Sequence, residues 1–364
     1  MTTGLMWNER CMWHNSGLHF GPSSRWVEPI PHPENADGKR RIKNLLDASG
    51  LTGQLLCPKF DKATEKNILS VHSSSYLSEV LAVSEAGGGN LAKRLATTHI
   101  GEHGIDVALL AAGGAISAVT SVLDGKVENA YALIRPPGHH AVPNEAMGFC
   151  VFANAALAGK YALENYGLDR IAFVDWDVHH GNGTEAIFLD DPRAYTISIH
   201  QDNCFPPNSG SVDQIGIKDG KGTNLNIPLP PGSGEPVYLA AFDRIVKPAL
   251  ELFKPQLIIV PCGFDAGFHD PLGRMMLTSH SFRRLTARIM EVASKLCGGK
   301  LVLTHEGGYS PHTVPFHCLA VIEQLSGITT EVVDPFSPPI TPESDQPLLD
   351  HQERAIMKAE NLIN

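Results

Sequence analysis

Residues 175–183 read DWDVHHGNG and come directly after the apolar run IAFV at 171–174. A short β-branched run closed by glycines is how a buried parallel strand ends. Asp177 and His179 stand two apart on that extended exit, so their side chains leave one face and can hold one ion together. In a parallel α/β sheet the ligand site lies beyond the carboxyl ends of the strands, so the residues just past each strand decide the chemistry. Three further runs end in the same manner. Ala132 to Arg135 leads into PPGHHA, Leu257 to Cys262 into GFDAGFHDPLG, and Leu301 to Thr304 into HEGGYSP. Tyr195 to His200 is a fifth strand candidate.

Between these runs apolar residues recur at helical spacing, as in Tyr238, Phe242, Ile245, Val246, Ala249, Leu250 and Phe253, and again in Phe282, Leu285, Ile289, Val292 and Leu296. Such alternation makes stacked βαβ units around a parallel sheet, an α/β fold, and one domain accommodates the chain from 1 to 364. Within it, residues 1–100 are loop-rich, the motifs fall in 130–325, and 334–364 reads as a peripheral extension of prolines and acids. The Gly17 to Gly38 stretch and Gly87-Gly88-Gly89 read as long loops, the former suited to a subunit contact or a pocket rim, which leaves a homo-oligomer open.

A chain of 364 residues with 43% hydrophobic content can bury a sizeable core. Its net charge of −10, with Lys39-Arg40-Arg41 as the only compact basic run, argues against a nucleic-acid partner. The N-terminus lacks a basic leader, and no stretch approaches the ~18 consecutive apolar residues of a membrane span, so a cytoplasmic enzyme with no membrane partner is expected. Seven cysteines without a CxxC pair read as reduced, structural thiols, and Cys150 is taken as the one cysteine near the motifs, in a packing role. P-loop, GxGxxG, GxSxG and HExxH patterns are absent.

Carboxylate and imidazole ligands suit zinc, whose catalytic sites keep three protein ligands and an open position. Asp265, just past LIIVPCG, is the third ligand beside Asp177 and His179. For any one of these alone a buried, hydrogen-bonded loop residue is the commoner explanation; together they favour metal. His139-His140 comes after a rigid Pro136-Pro137-Gly138 turn and can act as base and acid beside a metal, although one of the pair as a hydrogen-bonded spacer is the bland alternative. Asp175 is placed to orient His139. Tyr309, after Gly307-Gly308, reads as an oxyanion donor, but two glycines permit a path towards the metal or away from it. Phe149 and Phe205 lie in Gly- or Pro-rich loops where an aromatic pair would wall a narrow slot, against the commoner reading of core packing.

Taken in order, RPPGHHA, GFCVFANAA, DWDVHHGNGT, CFPPNSG, GFDAGFHDPLG and EGGYSP resemble the histone deacetylase family of the arginase/deacetylase fold, with a weaker echo in HPENADGKRRI. The branch it resembles is that of the class II enzymes and the bacterial histone deacetylase-like amidohydrolases, which are similar to acetylpolyamine amidohydrolases. The resemblance implies a single-domain, three-layer fold with an eight-stranded parallel sheet. It implies one zinc on Asp177, His179 and Asp265, proton transfer by His139 and His140, and polarisation of the amide carbonyl by Tyr309. Phe149 and Phe205 would line an acyl-lysine tunnel, with Gly148, Gly307 and Leu272 also contacting substrate. A potassium ion is implied at Asp175, Asp177, His179, Ser198 and Ile199, and a second near Phe188. Where many class I relatives pair the second histidine with aspartate, this chain has Asn182, which leaves His140 less readily charged and inclines the general-base role to it. Tyr309 stands where some animal relatives have histidine and are poor deacetylases. Leu272 stands where polyamine-specific relatives carry glutamate at the tunnel mouth.

The expected activity is hydrolysis of the N-acetyl amide of lysine or a small acylated amine. Acetylpolyamine hydrolysis is the alternative within the family, a two-manganese ureohydrolase is a weak alternative within the fold, and an acyl-lysine-binding scaffold without activity is the alternative of another class.

Overall fold

The structure, a computed structural model, describes residues 1–20, 26–93, 98–337 and 347–363. Seven strands form one sheet: β1 (Thr3–Trp7), β2 (Asn129–Leu133), β3 (Ile171–Asp175), β4 (Ala194–Gln201), β5 (Asn224–Leu229), β6 (Leu257–Cys262) and β7 (Leu301–His305). Their order is β1-β2-β7-β6-β3-β4-β5, and every pairing is parallel. The described residues thus supply one strand fewer than the eight implied by resemblance.

Side chains alternate between two cores. Ala130, Ala132, Ile171, Phe173, Leu257, Ile259 and Val302 pack on one face, while Tyr131, Leu133, Ala172, Val174, Ile258, Val260, Leu301 and Leu303 pack on the other. A sheet apolar on both faces needs helices on both. Gly104–Leu123 and Asn154–Asn165 cover the first, and Ala36–Ala48, Ser279–Cys297 and Val314–Ser326 cover the second, giving three layers. Gly104–Leu123, though interrupted by polar residues, is long and apolar enough on average to cross a membrane; 72% of its most apolar window is buried inside the protein, as in a core helix. Ser279–Cys297 shows why a helix forms where it does: Thr278 and Ser281 cap its start reciprocally, and Gly298, at φ 62°, closes its end.

Several boundaries differ from the sequence reading. β3 and β6 have the expected limits, but β2 ends at Leu133, two residues early, and β1 and β5 were not anticipated. Gly88–Asn90 is a short strand paired with His99–Gly101, not a loop. The Gly17 to Gly38 stretch carries a hairpin of His19–Phe20 with Ile30–Pro31; its residues 21–25 lie outside the described residues. The helix after Pro236 is two α segments joined by a π turn, Phe242–Val246, because Pro248 has no N–H for the carbonyl four residues back.

Residues 338–346 of the expected extension lie outside the described residues, but Asp350–Glu360 is a helix packed on the edge strand β5. Ile356 and Ala359 are fully buried there, and Arg244 reaches Glu353 at 2.7 Å and Glu360 at 2.5 Å.

The sheet order positions the site. β2, β7, β6 and β3 are consecutive neighbours, so at about 4.8 Å per strand their four carboxyl ends fall within ~15 Å. The terminal helix makes a separate test. Ile356→Ala is expected to lower stability by about 2–5 kcal/mol, whereas Glu353→Ala, at a half-exposed ion pair, costs under ~1 kcal/mol. Urea titrations of the two variants check this, and equal midpoints would mean that the helix is held by charge and not by burial.

Candidate metal centre and active site

Leaving β3, the chain folds its carboxylates back on its own amides. Asp175 Oδ1 accepts the N–H of Asp177 at 3.0 Å, and Asp177 Oδ1 accepts the N–H of His179 at 2.9 Å. From the end of β6, Asp265 Oδ1 accepts the N–H of Val178 at 2.8 Å. These bonds bring three ligand atoms together: His179 Nδ1 lies 3.0 Å from Asp177 Oδ1 and 3.1 Å from Asp265 Oδ2. Asp177 and Asp265 are fully buried and His179 nearly so, and their candidate ligand atoms all lie within 4.8 Å of one another.

This cluster has less positive charge than its two carboxylates demand. One imidazole nitrogen cannot serve two carboxylates, and Asp265 Oδ2 receives no hydrogen bond although it is buried. Burial, and then the neighbouring Asp177 charge, push the Asp265 carboxyl up to about 6. Burial opposes charging Asp177 too, but His139 and His179 outweigh it and hold that carboxyl well below its usual range. Edges of 3.0–3.1 Å suit a tetrahedral ion, since bonds of about 2.0–2.2 Å give edges of roughly 3.3 Å. Donor chemistry, spacing and the orphaned oxygen all fit zinc.

Next to the cluster, the paired histidines differ in charge. His139 Nδ1 donates to Asp175 Oδ2 at 2.9 Å; burial disfavours its cation, but Asp177 and then Asp175 raise its pKa to about 10. His140 Nδ1 donates to Asn182 Oδ1 at 2.7 Å, and Asn182 Nδ2 returns a bond to the His140 carbonyl at 3.3 Å, which fixes the amide's orientation. Nδ1 therefore carries the proton and Nε2 keeps its lone pair. Burial, then the positive charge of His139 and His179, holds His140 neutral. The turn before them is set by Glu306, whose Oε2 accepts the N–H groups of Gly138 at 2.6 Å and His139 at 3.0 Å.

His140 and His179 both border a cavity of about 200 Å³. Phe205 stands 4.9 Å from His140 and 6.0 Å from His179, ring centre to ring centre. Phe149 stands 5.9 Å from Tyr309 and 4.8 Å from His32. Gly148, Leu272 and Phe20 complete the wall, together with Cys204. Cys204 corrects the reading that Cys150 is the only cysteine near the motifs; Cys150 is buried, its Sγ taking the His140 N–H at 3.5 Å. Gly148 has φ 53°, and a Cβ there would press on His140 and Phe205. Burial, then the negative charge of Asp265 and Asp177, keeps the Tyr309 phenol protonated.

The remaining sequence candidates fall outside the cavity. Gly307 lies beside the candidate ligands: its N–H donates to Asp177 Oδ2 at 2.8 Å, and a side chain would strike both carboxylates. Ser198 on β4 lies opposite Asp175 in the strand register, with Ile199 next to it, and Phe188 is stacked on Phe173 in the core. Sequence reading missed Glu306, Phe20 and Asp270. Only the first carried a signal, as a carboxylate at the end of β7 immediately before the glycines.

The chain is similar to a histone deacetylase-like amidohydrolase of Pseudomonas aeruginosa, with 48% identity over 338 residues that cover 92% of this chain and 88% of that one. It is 36% identical over 336 residues to a probable deacetylase of Archaeoglobus fulgidus, covering 92% and 89%. The crystal structure of the HDA15 HD domain superposes with a TM-score of 0.85 at 31% identity, over 100% of this chain and 94% of that chain. The family model described as the histone deacetylase domain matches residues 32–325, a span that holds the four strand ends and the metal-ligand cluster, and the chain belongs to that family.

Proposed function

We propose that the protein is a zinc-dependent amidohydrolase that hydrolyses N-acetyl and related acyl amides of lysine-like amines to free amine and carboxylate. The observation that carries this reading is the meeting, around one apolar cavity, of a three-ligand cluster, a neutral imidazole and a protonated phenol. Relatives named as deacetylases and an amidohydrolase support the reaction class.

Zinc held by Asp177, His179 and Asp265 would supply Lewis acidity for the amide carbonyl and an acidified water. His140, neutral and with Nε2 free, takes a proton from the attacking water. His139, held cationic by Asp177 and Asp175, disfavours a second charge on its neighbour, which keeps His140 neutral before attack and ready to pass the proton on after it. His140 then delivers the proton to the departing nitrogen. Tyr309 donates its phenolic hydrogen bond to the carbonyl oxygen as negative charge grows there. Phe149 and Phe205 exclude water and accept a slender acyl chain. A potassium ion at Asp175, Asp177, His179, Ser198 and Ile199 belongs to the same reading, supported by the placing of Ser198 beside Asp175. Among the described residues a single group of three metal-capable side chains is present, which favours one zinc over two manganese ions.

Asp177→Ala and His179→Ala are expected to leave purified protein without zinc and without turnover, because a three-ligand site does not survive the loss of one. Elemental analysis reads the first outcome independently of activity; stoichiometric zinc in either variant contradicts the assignment. Tyr309→Phe should retain zinc and fold while kcat falls on the order of 10²- to 10³-fold. An unchanged kcat would assign the donor role elsewhere.

Leu272 is neutral and half-buried at the cavity wall, so it offers no partner to the second ammonium of a polyamine. Wild-type protein should therefore prefer acetyl-lysine peptides to acetylspermidine, and Leu272→Glu should move the ratio towards the polyamine. Steady-state kcat/KM on both substrates tests this, and a wild-type preference for acetylspermidine of about tenfold would favour the polyamine reading.

A further inference from the structure

Tyr309 comes after two glycines, and Gly308 adopts φ 124°, a conformation that by itself does not commit the next side chain to any direction. The commitment comes from another loop. Asp270 is 7% exposed, and its Oδ2 accepts the backbone N–H of Tyr309 at 2.7 Å. Its other oxygen, Oδ1, accepts the N–H of Leu272 at 2.9 Å. The loop that carries it is itself tied down: Asp270 N–H donates to the Gly267 carbonyl at 3.0 Å, and Leu277 N–H donates to the Ala266 carbonyl at 3.0 Å. Asp265 lies on the same loop.

We propose that Asp270 is a positioning residue that sets the Tyr309 phenol and the Leu272 rim in one register with the metal ligands. Both oxygens are used, on two different parts of the wall, so a shift of this carboxylate moves the oxyanion donor and the rim together. Such a clamp replaces the rigidity that the glycines give up. On the far side, Phe149 limits the Tyr309 ring, 5.9 Å away.

The inference rests on the reading of Tyr309 as donor, and the test separates the two. Asp270→Asn keeps the size but turns one accepting oxygen into an amide nitrogen, so it cannot accept from both backbones. Asp270→Glu keeps the carboxyl group with one more methylene, and serves if the first variant does not fold. Each is made alone and in a Tyr309→Phe background, with zinc content and melting temperature measured. The expected result is a fall in kcat of roughly 10- to 100-fold with zinc retained, together with a changed ratio of kcat/KM between acetyl-lysine peptide and acetylspermidine. In the Tyr309→Phe background the further loss should be less than about twofold, since the donor that Asp270 positions is gone. The proposal is overturned if both variants keep kcat within about twofold of wild type while Tyr309→Phe is slow, if the full loss recurs in the Tyr309→Phe background, or if zinc is lost. Wild-type kcat in Tyr309→Phe alone overturns the donor reading and the proposal with it.

Discussion

Two carboxylates, Asp177 and Asp265, are buried against a single imidazole nitrogen, and the arrangement around them is set by that constraint. Removing two anions from water costs several kcal/mol each unless they are paired. Backbone amides meet part of the demand, with Gly307 donating to Asp177 and Val178 donating to Asp265. They leave Asp265 Oδ2 without a donor. A cation of charge two would resolve the deficit at that place, and the glycine at 307 answers the same crowding, since no side chain fits between the carboxylates.

The same logic runs outward. Each group proposed to act is held by a polar residue from elsewhere in the chain: His139 by Asp175, His140 by Asn182, the Gly138-His139 turn by Glu306, and the Tyr309 backbone by Asp270. Two carboxylates, Asp177 and Asp175, beside one histidine, and burial with cationic neighbours beside the next, divide a pair of like residues into a cation and a neutral imidazole, the separation of protonation states that acid–base chemistry near neutral pH requires. Assembling so many partners takes four strand ends side by side, which the order β2-β7-β6-β3 provides.

How much of this was legible in the sequence depended on distance along the chain. Continuous apolar runs such as Ile171–Asp175 and Leu257–Cys262 gave strands at their observed limits. In NLNIPL at 224–229 the buried Leu225, Ile227 and Leu229 do alternate, but two asparagines and Pro228 obscure the pattern; an edge strand tolerates that proline. β1 is five residues long and gains its identity only by pairing with β2, more than a hundred residues later. Asp177 with His179 was readable because both lie on one extended exit. Glu306 and Asp270 were not, because their partners are 168 and 39 residues away; the place of Glu306 at a strand end marks it as near the site, but nothing local shows which amides either carboxylate holds. The direction of Tyr309 was open for the same reason: glycines announce freedom, and the residue that removes it sits on another loop.

The central claim is that one divalent ion completes the buried cluster of Asp177, His179 and Asp265 and that turnover depends on it. The most direct measurement is a calorimetric zinc titration of chelator-stripped wild-type protein, with turnover of an acetyl-lysine amide monitored in parallel. The account predicts saturation at one equivalent per chain and activity returning along the same curve. Saturation at two equivalents, or full turnover in the stripped protein, would contradict it.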